Sequence, residues 1–201
     1  MLVGEQLSHP ASQHLVFDKK NANMKMCGTI SLRDGTQVNI RPIKPDDAPR
    51  LMALFDRLSP QSIYHRFLGF RKAFPYEEVK RLAEVDYQKQ MALVAINEQN
   101  GCENIIGVAR YDMLGPAEPG VAEASVVVED QYQARGMATH LLMQLMTYAH
   151  THAIRAFRAM VHNDNTRIMR IIQRSGLPIE RMTIEQGVWD IQVNFEIESE
   201  V

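Results

Sequence analysis

Glu123 stands inside an otherwise apolar run, "VAEASVVVE" over residues 121–129. Strand alternation puts it on one face with Ser125 and Val127. A carboxylate in apolar surroundings titrates upward through desolvation, toward the range where a general base works best. The bland alternatives are a glutamate at an exposed strand end, or one paired with an arginine such as Arg110. Ten residues on, Gln133, Ala134, Arg135 and Gly136 lead into a helix opened by Met137, Ala138 and Thr139. A helix N-terminus offers unpaired N–H groups and a partial positive charge, worth about 0.3–1 kcal/mol to an anion. Gly136 has no Cβ to keep a phosphate from its N–H, Ala138 is nearly as small, and Arg135 can add a charge-assisted contact. The junction suits a phosphate or pyrophosphate. The alternative is that Gly136 only lets a helix pack tightly on a sheet. Glu129 and Asp130 are given no such role, because negative charge works against a phosphate. Neither G-x-x-x-x-G-K-[ST] nor G-x-G-x-x-G occurs after a strand.

These residues need a sheet and helices to hold them. Residues 1–27 show no periodicity and form an N-terminal extension of unknown role; order begins at residue 28 and a single domain runs to 201. Asp34-Gly35 between two alternating runs predicts a hairpin turn. "KPDDAPRLMALFDRLSP" predicts a helix capped by Asp46 or Asp47, with Pro49 in its first turn and Leu51, Leu54, Phe55 and Leu58 as its stripe. "SIYHRFLGF" and "PYEEVKRLAEV" predict two short helices. Strands follow at 91–96, 104–113 and 121–129, then the helix over about 135–150, a strand at 155–161, a helix over 165–176 stopped by Gly176, and a hairpin turning near Gln186-Gly187. The pattern is an α/β mixed sheet with helices on both faces.

Composition excludes several classes. The chain has 201 residues and a net charge of −2, without the electrostatic footprint of a nucleic-acid binder. Cys27 and Cys102 make neither a disulfide framework nor a metal site and fit a reducing compartment. No signal peptide or membrane-length apolar run is legible, so the expectation is a soluble cytoplasmic protein with no membrane partner. His140, His150 and His152 lack ligand spacing and read as surface histidines; no metal is expected.

The segment Gln133–Ala138 resembles the (Q/R)-x-x-G-x-(G/A) loop of the GNAT superfamily of N-acetyltransferases. "IIGVARYDM", "AEASVVVEDQYQARGMATHLL", "VHNDNTRIMRIIQRSGL" and "LSPQSIYHRF" are similar to its Pat-type protein lysine acetyltransferase branch, over roughly residues 38–195. The resemblance implies a GNAT-like acyl-CoA N-acyltransferase fold of about seven strands. It implies acetyl-CoA as co-substrate, its pyrophosphate held by Gln133 to Thr139 (Gln133, Ala134, Arg135, Gly136, Met137, Ala138, Thr139). The strands at 121–129 and 155–161 are expected to splay and admit the pantetheine arm, which pairs with backbone at Val126, Val127 and Val128. An N–H near Val126 or Val127 would serve the thioester carbonyl. Asn165 matches the cofactor-supporting asparagine and equally suits a helix N-cap. Glu123 matches the branch's catalytic glutamate. Ile172 departs from the pattern: many relatives carry there a tyrosine that protonates the leaving thiolate.

The resemblance implies acetyl transfer to a primary amine, a protein lysine by analogy with the branch, whose typical targets are AMP-forming acyl-CoA synthetases. Such enzymes often carry a fused regulatory domain, for which 201 residues leave no room. The alternatives are a small-molecule amine acceptor, or a non-catalytic acyl-CoA-binding sensor. Oligomeric state stays open, a homodimer included.

Overall fold

The computed structural model describes residues 28–99 and 101–195. The expected extension over 1–27 lies outside the described residues. Strands β1 (Gly28–Ser31) and β2 (Gln37–Pro42) form the first hairpin. Asp34 Oδ1 accepts the Thr36 N–H at 3.1 Å, and Gly35 takes φ 85°, a pairing of local acceptor and left-handed residue that closes a tight turn. Helices α1 (Ala48–Arg57), α2 (Pro60–Phe67) and α3 (Tyr76–Ala83) follow. The remainder is β3 (Gln90–Gln99), β4 (Cys102–Met113), β5 (Val121–Val128), α4 (Met137–Thr151), β6 (Ala156–His162), α5 (Thr166–Ser175), β7 (Ile179–Glu185) and β8 (Val188–Asn194).

The strands make one eight-stranded sheet ordered β1-β2-β3-β4-β5-β6-β8-β7. That is one more than the seven or so the family resemblance implies, and equal to the number read element by element from the sequence. Among the described strands only β5 and β6 pair in parallel, and α4 is the crossover such a pair requires.

Alternation divides the strands between two cores. Ala122, Ala124 and Val128 of β5 pack with Leu141, Leu145 and Ala149 of α4. Leu141 and Leu145 are wholly buried, each contributing about 1.5–3 kcal/mol. Val127 turns the other way, to Leu51 and Leu54 of α1, Val79 of α3 and Val108 of β4. Helices therefore cover both faces.

Local signals place the helix ends, with one correction. Ser59 Oγ accepts the Ser62 N–H at 3.2 Å, capping α2 just before Pro60. Gly176 ends α5 at φ 68°. Neither Asp46 nor Asp47 caps α1 with its side chain. A single 3-10 turn over Pro45–Asp47 precedes the helix, and Asp47 is drawn into a buried pair with Arg41 at 2.6 Å.

Candidate active site

β5 and β6 pair over three positions only: Val121 with Ala156, Ala122 with Phe157, and Glu123 with Arg158. Beyond them the strands part, while β5 stays bonded to β4 as far as Val128. The expected splay is there, and one edge of β5 is open. The Glu129 N–H donates to the Ile106 carbonyl at 2.9 Å, which fixes the alternation. Val127 and Ser125 turn their backbone groups to β4; Val126 and Val128 turn theirs to the gap. The Val128 carbonyl accepts Gln133 Nε2 at 2.9 Å. Val126 is thus the position whose N–H and carbonyl both face the opening.

The loop into α4 alternates its handedness. Ala134 has φ 62° and Gly136 has φ 96°. A Cβ on Gly136 would meet Arg33 Nε at 3.7 Å and nothing nearer, so conformation rather than crowding calls for glycine. Among the described residues no side chain caps α4. The amides of Met137, Ala138 and Thr139 have no acceptor within the helix and stand at the cavity wall.

Two loop side chains hold the architecture. Gln133 Nε2 reaches Ser62 Oγ at 3.0 Å besides Val128, and its Oε1 accepts from Arg167. Arg135 differs from expectation. Its Nη1 donates to Asp34 Oδ2 and its Nη2 to the Gln131 carbonyl, each at 2.5 Å. It bolts the loop to the first hairpin and does not line the cavity. Asp130 ties the loop to α2, accepting from the Ser59 N–H at 2.9 Å and from Ser59 Oγ and Ser62 Oγ at 2.7 and 2.8 Å. Burial works against its charge, but these bonds prevail and hold its carboxyl below the usual range.

Open edge, loop, α2, α4 and α5 enclose a cavity of about 620 Å³. Every predicted cofactor-binding residue except Arg135 lines it. Asn165 does so while its side chain accepts the Ile168 N–H at 3.4 Å, so it caps α5 as well. Ile172 is half-buried in the wall and has no proton to give.

Glu123 needs a correction. It is exposed, not enclosed by apolar side chains. Register explains why: its β4 partner is Asp112, and Arg110 stands opposite Ser125 on the same face. Arg110 pairs with Asp112 at 3.1 Å. The Glu123 side chain makes no ion pair or hydrogen bond with the described residues, and its neighbours Ala124 and Ser125 line the cavity.

Sequence reasoning missed several lining residues: Arg33, His65, Arg66, Asp164 and Arg167. Asp164 Oδ1 is shared by His65 Nε2 at 2.7 Å and His162 Nδ1 at 2.9 Å, with the Tyr64 hydroxyl on His162 Nε2 at 2.6 Å. This cluster ties α2 to the end of β6. Helical spacing of Ser62, His65 and Arg66 was the available signal, since i, i+3 and i+4 share a face.

A family model described as an acetyltransferase (GNAT) domain matches residues 37–178. Acetyltransferase PA5475 of Pseudomonas aeruginosa is 34% identical over 125 residues, 62% of this chain and 66% of that protein. Acetyltransferase Pat of Mycolicibacterium smegmatis is 29% identical over 147 residues, 73% of this chain and 43% of Pat. The chain thus spans somewhat under two thirds of the first relative and less than half of the second. The crystal structure of the GNAT domain of S. lividans PAT superposes with a TM-score of 0.73 at 29% identity, covering 84% of this chain and 97% of that one. With the splayed β5–β6 pair, the uncapped α4 terminus and a family match over most of its length, the chain belongs to the GNAT acetyltransferase family.

Proposed function

We propose that this protein moves an acetyl group from acetyl-CoA to a primary amine, a protein lysine, in the cytoplasm. The observation that carries this is the adjacency, on one cavity, of the open β5 edge at Val126 and the uncapped N-terminus of α4. The free amides at Met137 to Thr139 suit a diphosphate. The Val126 N–H and carbonyl suit the amides of a pantetheine arm, joined as an added strand. Where the arm's amide N–H is met by the Val126 carbonyl, the Val126 N–H is left to meet the thioester oxygen as charge grows on it. Glu123, exposed and unpaired, takes a proton from the acceptor's ammonium directly or through water, and the neutral amine so formed attacks the thioester carbon. Ile172 offers the departing sulfur no proton; a thiol of pKa near 8.5 leaves acceptably as thiolate. No step asks for a metal. Among the described residues no helix is long and apolar enough to cross a membrane.

The test is thiol release from acetyl-CoA with a panel of lysine peptides and small amines, beside calorimetric binding. Release that needs an amine supports transfer. Binding without release for any acceptor points instead to a sensor of acyl-CoA.

A further inference from the structure

We propose that the acceptor carries a carboxylate close to its amine, and that Arg66 is the residue that binds it. This rests on the acetyl-transfer reading above and narrows its acceptor.

The starting point is how charges are paired on the sheet face away from α4, beside the cavity. Arg110 holds Asp112 with two bonds, at 3.1 and 3.2 Å. Arg57 holds Glu129 at 3.0 Å. Arg158 holds Asp190 at 2.7 Å and Glu118 at 2.8 Å. On that face two opposite side-chain charges are left over, Glu123 and Arg66; the cavity-lining Arg170 and Arg174 belong to α5 instead. Neither the Glu123 nor the Arg66 side chain makes an ion pair or a hydrogen bond with the described residues.

Arg66 lies in the last turn of α2, half-buried in the cavity wall that also includes Ala124 and Ser125. Its guanidinium sits 4.9 Å from the centre of the Phe67 ring. Burial pushes its pKa down to about 10, and the Arg110 charge adds to this. Asp112 and Glu123 act in the opposite sense through space. A half-buried cation without a partner is unfavourable by itself and gains when an anion arrives.

Which anion arrives is decided by position. The donor's phosphates belong at the α4 terminus, on the face covered by α4. Arg33 and Arg167 stand at that end: Arg33 beside Gly136, and Arg167 on Gln133. Arg66 is on the other face, where Ile63 and Phe67 pack α2 against the α1–α3 core. The pantetheine arm that would run between the two ends is neutral. The anion at Arg66 therefore comes with the acceptor. Glu123, on the same face as Arg110 and Asp112, meets the acceptor's ammonium. An unpaired carboxylate and an unpaired guanidinium complement a molecule with one charge of each sign, and a planar guanidinium grips a carboxylate through two bonds.

Two sources share this chemistry: a free amino acid, and a lysine beside Asp or Glu in a polypeptide. The experiment uses the full chain, acetyl-CoA and matched acceptors. One arm compares lysine peptides whose neighbouring residue is Glu or Gln. The other compares ω-amino acids of increasing chain length with their carboxamides, with rates corrected to the neutral-amine fraction. The expected result is that kcat/KM favours the carboxylate member about tenfold or more in one arm, which names the source. In Arg66→Gln the ratio falls to near one, and Arg66→Lys restores part of it. A wild-type ratio within twofold in both arms overturns the proposal, whether or not either variant folds. So does a ratio that Arg66→Gln leaves intact. Acetyl-CoA binding is measured alongside. Binding and turnover without preference defeat this proposal alone, whereas no binding defeats the acetyl-transfer reading with it.

Discussion

Replacing Glu123 with Gln removes a proton acceptor and little else. The Glu123 side chain is exposed and makes no ion pair or hydrogen bond with the described residues. Substitutions at such surface positions change stability by only a few tenths of a kcal/mol, or about 2 °C in Tm at this chain length. The rate effect is larger. A lysine of pKa near 10.4 is neutral in about one molecule in 2,500 at pH 7, and in about one in 25 at pH 9. A positioned base contributes roughly 10²–10⁴-fold, and an exposed carboxylate belongs at the low end, so Glu123→Gln loses about 10²-fold in kcat/KM at pH 7. In the variant only amine that is already neutral reacts, so its rate climbs about tenfold per pH unit until the amine pKa is reached. The wild-type profile is shallower, and the two converge toward pH 10. The assay is steady-state thiol release from pH 6.5 to 10, with Tm and the calorimetric Kd for acetyl-CoA measured on both proteins. A variant within about threefold of wild type at pH 7, or a deficit that stays constant with pH, would refute Glu123 as the base.

Gly136→Ala places an L-residue at φ 96°, which costs about 1–3 kcal/mol. Thermal melting should fall by roughly 2–4 °C per kcal/mol, and acetyl-CoA affinity by about tenfold as the loop reshapes. Unchanged affinity in a folded variant would separate this turn from anion binding. Arg135→Ala loosens the tie to Asp34 without removing a phosphate contact, so calorimetry should find Kd within about threefold of wild type; a hundredfold loss would mean that Arg135 reaches the ligand. Asp190 is buried with Arg158 at 2.7 Å and Arg181 at 3.1 Å. Arg158 chiefly holds its carboxyl below the usual range, although burial pulls the other way. Because the folded pKa is the lower one, this stabilisation is complete above the ordinary carboxylate pKa and is lost as pH falls through it toward the folded value. Asp190→Asn should lose about 3 kcal/mol at pH 7 and show a flatter decline in Tm below pH 4 than wild type. Equal acid dependence in the two proteins would place the acid sensitivity elsewhere.

Much of this architecture is legible because its signals are local. An eight-residue apolar strand, a glycine turn and an amphipathic helix follow one another from Val121 to Thr151, and periodicity alone sorts their faces. Gly176, Ser59-Pro60 and Asp34-Gly35 end or begin elements through their own backbone preferences. What period cannot supply is register. Alternation correctly groups Glu123 with Ser125 and Val127, yet the polarity around Glu123 depends on which β4 residues lie opposite, and these are Asp112 and Arg110. The same holds for Arg135, whose partner Asp34 is 101 positions away. It holds for Arg66, which shares a cavity wall with Ser125 only because α2 spans the splayed strands. Asp47 shows the converse hazard: a residue with good capping chemistry is taken by a stronger partner, since two bonds to the Arg41 guanidinium outweigh one to a helix amide. The pieces that locate a cofactor are backbone features written into short segments. The pieces that choose an acceptor are side-chain charges brought together across the sheet, so relatives that share the first set are free to differ in the second.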